Sequence, residues 1–455
     1  MHLDNRKVLV VGFGKTGDAL CRFLLKKGAR VTVTDKKSKE AMGKKALAWE
    51  NKGVRFEAGG HNPETFLQAE LIVLSPGVPL LPEIEAARAK GISVISEIEL
   101  AHKFLRGLII GITGSNGKST TTTLVHRILE DAGRRAFLAG NIGKPLILFA
   151  DGSRPGDIYV TEISSFQLEH IRDFKVHISL FLNVSSNHLD WHKSFDNYYA
   201  AKKKLLLSQT TDDIGILNRD DRLVWAMKKE GKFKAYAFSR TKPVARGAFL
   251  RDGWIVIRDR EERRVMPVRE IPLPGLHNQE NVMAAVVAGH VCGVSPAGMR
   301  RTVRAFKGLE HRLEDVLTWK GVRFVNDSKA TTVDATLKAL DSFDRKVVLI
   351  LGGRDKGGDF IGLRPAVKEK ARKVLLIGEA RDKIAAALQG SVPMETASTF
   401  RELVRKGFAA AHPGDVVLLA PACTSWDMFK SFEERGRTFR REVRNLTRTA
   451  KERKS

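Results

Sequence analysis

The sequence predicts an α/β protein of three domains: a Rossmann-like amino-terminal domain, a central doubly wound ATPase domain of the phosphate-loop type, and a Rossmann-like carboxyl-terminal domain. Three observations lead there. Short apolar runs suited to buried parallel strands recur along the chain, each ending in a glycine-rich or polar cluster before a stretch of helical periodicity. Two of these clusters, Gly12-Phe13-Gly14-Lys15-Thr16-Gly17 and Thr113-Gly114-Ser115-Asn116-Gly117-Lys118-Ser119, have the form of anion-binding turns. The chain is 455 residues long, room for about three domains of roughly 100 to 200 residues.

The first domain is expected over 1–97. Residues 8–11 form a strand that runs into the G-x-G-x-x-G turn, a helix passes through Leu20, Phe23 and Leu24 to Gly28, and a second strand, 30–34, ends at Asp35. Glycines so placed permit a tight turn and a close pyrophosphate, and the acidic residue suits ribose hydroxyls. Alone, the fingerprint reads as a nicotinamide dinucleotide site, although a uridine diphosphate group offers the same pyrophosphate to the same turn. A further strand, 71–74, enters another glycine turn, Ser75-Pro76-Gly77-Val78-Pro79.

The second domain, 98–308, holds the stretch on which the others depend. Leu108, Ile109, Ile110 and Ile112 make a buried strand, and Leu124, Val125, Ile128 and Leu129 recur at helical spacing before Gly133. Between them Gly114 and Gly117 let backbone N–H groups turn toward an anion, Lys118 reaches the outer phosphates, and the Ser119 hydroxyl is placed for Mg2+. The general pattern G-x-x-x-x-G-K-[ST] does not hold, because Ile112 stands where it requires glycine. A strand over 157–163 carries Glu162, and an apolar run over 176–184 leads to His188. Carboxyl ends of parallel strands share one edge, so Glu162 and His188 face the phosphate loop as possible Mg2+ ligands; a solvated strand-end acid and a capping or core histidine are the plain readings. His188 and His192 have helical spacing but lack the glutamate of the zinc motif H-E-x-x-H. The helix entered at Tyr198 carries Lys202, Lys203 and Lys204 on what is ordinarily a solvated basic face. Asn278 and Asn281 hold an adenine edge or cap the helix that follows, and capping is the plain reading.

The third domain, 309–455, repeats the alternation. Strands over 322–325, 346–351, 374–377 and 416–419 end at Asn326-Asp327-Ser328-Lys329-Ala330-Thr331, at Gly352-Gly353-Arg354-Asp355-Lys356-Gly357-Gly358, at Gly378 and at the cluster from Pro421 to Asp427. Polar signatures at strand carboxyl ends predict a binding edge of its own.

Composition bounds the partners. A net charge of +26, from 78 Lys and Arg against 52 Asp and Glu, favours anions. The excess thickens in the tail RTFRREVRNLTRTAKERKS, expected to be a solvated helix with a frayed end rather than a nucleic-acid site. Cys21, Cys292 and Cys423 have no disulfide or metal spacing, and no apolar run approaches the ~18 residues of a membrane span. The amino terminus feeds a glycine turn and does not resemble a signal peptide, so a cytoplasmic location is expected.

In order along the chain, TGSNGKST, GNIG, EISSFQLE, NHLD, AAK, LPGLHNQEN, HRLE, NDSKATT, LGGRDKGGDF and PACTSWDMFKSFEERG resemble the motifs of the Mur ligase family, with Ala420 where serine is common. The variant phosphate loop is shared with folylpolyglutamate synthetases, and the segment from Ser425 to Gly436 resembles the member that adds D-glutamate. The resemblance implies a monomeric ligase that takes ATP, UDP-N-acetylmuramoyl-L-alanine and D-glutamate, with two Mg2+ ions. It places ATP on Gly114, Ser115, Asn116, Gly117, Lys118, Ser119, Thr120, Asn278, Asn281, Arg312 and Asp327. Metal falls to Ser119, Glu162, His188 and a carbamylated Lys202. The uridine diphosphate substrate falls to Thr16, Asp35, Lys36, Gly77 and Asn141, and D-glutamate or the reacting carboxyl to Lys329, Thr331, Lys356, Ser425 and Phe432. Other Mur-family or folylpolyglutamate-type ligases, and a nicotinamide-dependent oxidoreductase, are the alternatives.

Overall fold

Five parallel strands form the first sheet: β1 (Lys7–Val11), β2 (Arg30–Asp35), β3 (Arg55–Ala58), β4 (Leu71–Leu74) and β5 (Ser93–Ser96), in the order β3-β2-β1-β4-β5. The computed structural model that shows this describes residues 1–355 and 357–452, of which 189, 190 and 449–452 by backbone alone. β1 and β4 are apolar on both faces because helices cover both, as parallel sheets require. Strand order reverses between β1 and β4, where a doubly wound sheet opens its binding crevice. The turn after β1 lies there. A Cβ on Gly17 would fall 2.4 Å from the Gly12 carbonyl oxygen, so glycine lets the helix Lys15–Lys26 approach the strand end.

The second sheet has nine strands: β6 (Leu108–Thr113), β7 (Ala136–Gly140), β8 (Ile158–Glu162), β9 (Ile178–Phe181), β10 (Ile214–Asn218), β11 (Lys234–Ser239), β12 (Gly247–Arg251), β13 (Trp254–Arg258) and β14 (Glu262–Pro267). Its order is β14-β13-β12-β11-β10-β9-β6-β8-β7, parallel except for the β12-β13-β14 meander at one end. The apolar run at 176–184 yields a strand of only four residues, since from Leu182 onward the backbone turns to serve the phosphate loop.

Two buried carboxylates tie these sheets into one compact unit, residues 1–272 with 276–306. In the helix Glu97–His102, Glu99 accepts the N–H groups of Arg172, Asp173 and Phe174. Glu97 accepts the Ile147 N–H at 2.6 Å. Burial pushes the Glu97 carboxyl up from 4.5 to about 7, against the downward pull of the Ile147 and Leu146 amides. The sign follows directly: between its unfolded and folded pKa values the folded state holds a proton that the unfolded chain releases, so stability falls as pH rises from about 4.5 to about 7 and then levels off. Glu97→Gln keeps the acceptor and is expected to flatten that slope in urea unfolding followed across the window.

The second unit, residues 273–275 with 307–455, is built on β15 (Glu314–Trp319), β16 (Val322–Asn326), β17 (Val347–Gly352), β18 (Ala371–Ile377), β19 (Met394–Thr396) and β20 (Val416–Leu419). Their order is β15-β16-β20-β17-β18-β19, with only the β15 edge antiparallel. Residues 437–452 of the tail belong to the helix Phe432–Glu452, whose Phe439 and Val443 are buried against this sheet, so the helix expected to be solvated packs one face inward; the expected frayed end, 453–455, lies outside the described residues. Among the described residues no helix is long and apolar enough to cross a membrane. All three cysteines carry free thiols.

Candidate active site

Backbone geometry explains the glycines of the central loop. Gly114 has φ +151° and Gly117 φ +82°, and Gly117 sits immediately before the helix Lys118–Asp131. A Cβ on Gly117 would also lie 2.2 Å from Asn281 Oδ1, so a side chain is excluded by conformation and by space. The loop is clamped from the segment after β9. Asn183 Oδ1 accepts the Asn116 N–H at 2.8 Å, its Nδ2 donates to the Asn116 carbonyl at 3.2 Å, and its own carbonyl accepts the Ser115 N–H at 2.9 Å. The Ser115 hydroxyl lies 2.9 Å from Tyr198 Oη and 3.0 Å from the Ser185 carbonyl. Ser119 and Thr120 open the helix and are buried.

Sheet register assembles the rest of the edge. Ile112 and Gly140 both lie level with Glu162, and Thr113 with Phe181, so the loops after β6, β7, β8 and β9 emerge together. Glu162 is buried; its Oε1 accepts from Asn141 Nδ2 at 2.7 Å, and its Oε2 is buried with no hydrogen-bond partner. A Cβ on Gly140 would sit 2.3 Å from the Glu162 carbonyl, which accounts for the first glycine of GNIG. Leaving a carboxylate oxygen dry and unpaired costs about 1–3 kcal/mol or more unless something ligates it.

Two lysines converge opposite that carboxylate. Lys118 Nζ donates to the carbonyls of Gly114 at 2.9 Å and Ser115 at 3.0 Å, while Lys202 Nζ donates to the same Gly114 carbonyl at 2.9 Å. Lys202 is 1% exposed, packed 4.8 Å over the Tyr198 ring. Burial first, then the neighbouring Lys118 charge, drives its pKa well below the usual lysine range, with Glu162 opposing. The basic face expected of this helix is therefore confined to Lys203 and Lys204; Lys202 points inward.

His188 is exposed, has φ +54°, and meets the Phe166 ring edge-on at 4.9 Å. Phe166 is presented by the short helix Ser165–Glu169, whose capping box pairs Ser164 with Gln167. His192 stacks on the same ring and its Nε2 lies 3.0 Å from Ser165 Oγ, so the two histidines do not form a zinc pair. Among the described residues no cluster of three His, Cys, Asp or Glu side chains is arranged to cage a metal. Asn281 sits too far inside its helix to cap it, and Asn278 stands in the first turn. Both are buried inside the helix Leu276–Val291; Asn281 Nδ2 donates to Asn278 Oδ1 at 3.0 Å, and Asn281 Oδ1 accepts from Thr121 Oγ1 at 3.2 Å. They brace the phosphate loop.

In the first sheet, Asp35 spends both carboxylate oxygens on backbone, accepting the Phe13 N–H at 2.7 Å and the Lys37 N–H at 2.9 Å. The carboxylate that the dinucleotide reading assigns to ribose thus already shapes the turn. Thr16 lies in the first turn of its helix, half-buried, while Lys36 and Gly77 are exposed, Gly77 with φ +83°.

The second unit gathers its own set. Loops after β16, β20 and β17 are neighbours: the Ala422 N–H donates to the Ala330 carbonyl, and Arg354 and Thr424 exchange backbone hydrogen bonds. Asp327 is buried and its carboxyl is pushed up to about 6 by burial, with Arg312 and Lys329 opposing. Lys329 Nζ lies 6.0 Å from the Phe432 ring, and the Phe432 carbonyl accepts from Ser328 Oγ at 2.8 Å. Ser425 is buried and Thr331 half-buried. Lys356 lies outside the described residues. Arg435, 1% exposed, donates to the carbonyls of Ser328 and Cys423 and so pins the last helix to these loops.

Residues 6–96 match the MurD-like amino-terminal domain of Mur ligases, 112–289 the Mur ligase middle domain and 311–423 the Mur ligase glutamate ligase domain. The chain belongs to the Mur ligase family. It is 47% identical to the UDP-N-acetylmuramoylalanine–D-glutamate ligase of Acidobacterium capsulatum over 97% of this chain and 96% of that protein. It is 46% identical to the protein of the same name from Koribacter versatilis, over 98% of this chain and 99% of that one. Among solved structures, UDP-N-acetylmuramate-alanine ligase from Thermotoga maritima aligns over 97% of this chain and 99% of that one, with TM-score 0.59 at 16% identity, which shows the Mur ligase fold.

Within this family fold, Asn183 and Tyr198 on the central edge and Arg435 in the second unit shape the sites without having been singled out from sequence. The signal for Asn183 was a polar residue inside the apolar run 176–184; Arg435 lies in the SFEERG stretch, where nothing in its residue type announces burial. Asn183→Ala removes the side-chain half of the clamp, two hydrogen bonds worth about 1–3 kcal/mol together. It is expected to raise the KM for ATP by about tenfold or more, with the melting temperature lowered only slightly, as steady-state kinetics and thermal denaturation would show.

Proposed function

We propose that this chain joins D-glutamate to UDP-N-acetylmuramoyl-L-alanine, converting ATP to ADP and phosphate, as a monomeric enzyme of the bacterial cytoplasm. The observation that carries the reading is the central edge, where a buried, unpartnered carboxylate oxygen and two lysines surround a glycine loop built for phosphates. The curated relatives carry the name of that ligase.

A substrate carboxylate oxygen attacks the terminal phosphorus of ATP and ADP leaves; the D-glutamate amine then attacks the acyl carbon, loses a proton and expels inorganic phosphate. Lys118 stabilises charge on the transferring phosphoryl group as it moves between oxygens. Hard oxygen and imidazole donors, Glu162 above all, fit Mg2+, with Ser119, Glu162, His188 and a carbamylated Lys202 as the residues that would hold two ions. Bound there, Mg2+ would neutralise charge on the reacting oxygens. Backbone N–H groups of 114–120 orient the nucleotide, Asn278 and Asn281 support that loop, and Arg312 and Asp327 are further ATP-binding residues. Lys329, Thr331, Lys356, Ser425 and Phe432 receive D-glutamate, while Thr16, Asp35, Lys36, Gly77 and Asn141 receive the uridine diphosphate substrate.

Phosphate release by the purified protein tests this. It is expected to require Mg2+, UDP-N-acetylmuramoyl-L-alanine and D-glutamate together. Equal stimulation by L-alanine or meso-diaminopimelate would reassign the substrate.

A further inference from the structure

The helices Phe400–Ala410 and Phe432–Glu452 leave between them a groove of about 830 Å³ in the second unit. It opens at the carboxyl ends of β18 and β19, reached by Ile377 at the end of one and by Ser398 and Thr399 just beyond the other. Ligands of α/β sheets bind at carboxyl edges, and this volume is of the size that holds a small organic molecule. None of its lining residues belongs to the set that receives ATP, D-glutamate or the uridine diphosphate substrate.

Its floor is apolar and aromatic. Phe400 and Phe429 meet edge to face at 5.2 Å, with Val404 and Ile377 buried alongside. Its rim is cationic. Arg401 and Arg405 stand one turn apart on the helix Phe400–Ala410, both exposed, and Arg441 faces the groove from the other helix. The neighbouring Lys406 is neutralised by Glu395 and Glu402. Arg401 and Arg405, by contrast, make no hydrogen bond or ion pair among the described residues. Among the described residues Arg441 pairs with Glu442, the one acid in the lining. Guanidinium forks are suited to oxyanions and lie flat against planar rings, so an aromatic floor beneath uncompensated arginines complements one ligand chemistry.

We propose that this groove is a binding site for a small aromatic organic anion, its ring system on Phe400 and Phe429 and its phosphate, sulfonate or carboxylate between Arg401 and Arg405. The test uses the full chain and 8-anilinonaphthalene-1-sulfonate, an aromatic sulfonate whose fluorescence rises on binding. Saturable binding is expected, weakened about tenfold or more by the double change Arg401→Glu with Arg405→Glu, while thermal melting and phosphate release are retained. Arg264→Glu with Arg301→Glu, the same charge reversal on the first unit, is expected to leave binding unchanged. Three results would overturn the site: no saturable binding, an equal loss in both double variants, or displacement of the probe by inorganic phosphate alone at matched concentration. The first would show an empty surface, the second a response to net charge, and the third an ion site with no use for the aromatic floor.

Discussion

Lys118→Ala is expected to lower turnover by about 100 to 1000-fold while leaving the fold intact. The magnitude is that of removing one preorganised donor aimed at charge that develops in the transition state. In the structure the ammonium donates to carbonyls of its own loop, those of Gly114 and Ser115. Its loss relieves Lys202 of the like charge that opposes protonation there. The melting temperature should therefore hold or rise, and Lys202 should bind its proton more tightly. Phosphate release and thermal denaturation of the same preparation separate the two effects. Near-normal turnover would remove the loop from the chemistry.

How much of this was legible in the sequence depended on whether a residue's task is local. Strands and turns were readable because apolar runs and glycines act through their own backbone; Gly114 and Gly117 announce their φ values in the spacing alone. The shared edge was readable too, since parallel order puts Glu162 level with Ile112 by topology. What sequence did not disclose were tasks set by distant partners. Asn281 looks like a cap because its residue type favours caps, yet the close approach of Gly117, at the start of the neighbouring helix, makes it a brace. Asp35 fits the ribose position of the fingerprint by count, and the count does not disclose its second task, accepting a backbone amide on each oxygen to shape the turn. Arg435 sits in the SFEERG motif with no local sign of burial, and only the pairing of its helix with the loops after β16 and β20 buries it.

Lys202 shows the same gap and carries the second large effect. Its neighbours behave as the basic face predicts: Lys203 pairs with Glu230, and Lys204 Nζ donates to the Glu169 carbonyl at 2.9 Å. Lys202 is sealed from water, shares the Gly114 carbonyl with Lys118, and is driven toward the neutral amine by burial and by that second charge. A neutral amine in such a place is a nucleophile for carbon dioxide: an N–C bond forms, a proton leaves, and a cation becomes an anionic oxygen donor. The exchange also removes the repulsion that a second ammonium imposes on Lys118 and supplies a hard ligand where Glu162 leaves an oxygen unpaired. Carbamylation of Lys202 is therefore expected in the active enzyme. Labelled bicarbonate should give a carbamate carbon signal in the full chain that Lys202→Ala abolishes. The same variant should lose activity by about 100-fold or more and recover part of it with formate or acetate, while Lys203→Ala and Lys204→Ala stay near normal. Full activity with no carbamate signal would mean that Lys202 acts as a bare amine, and its burial would then need a structural cause.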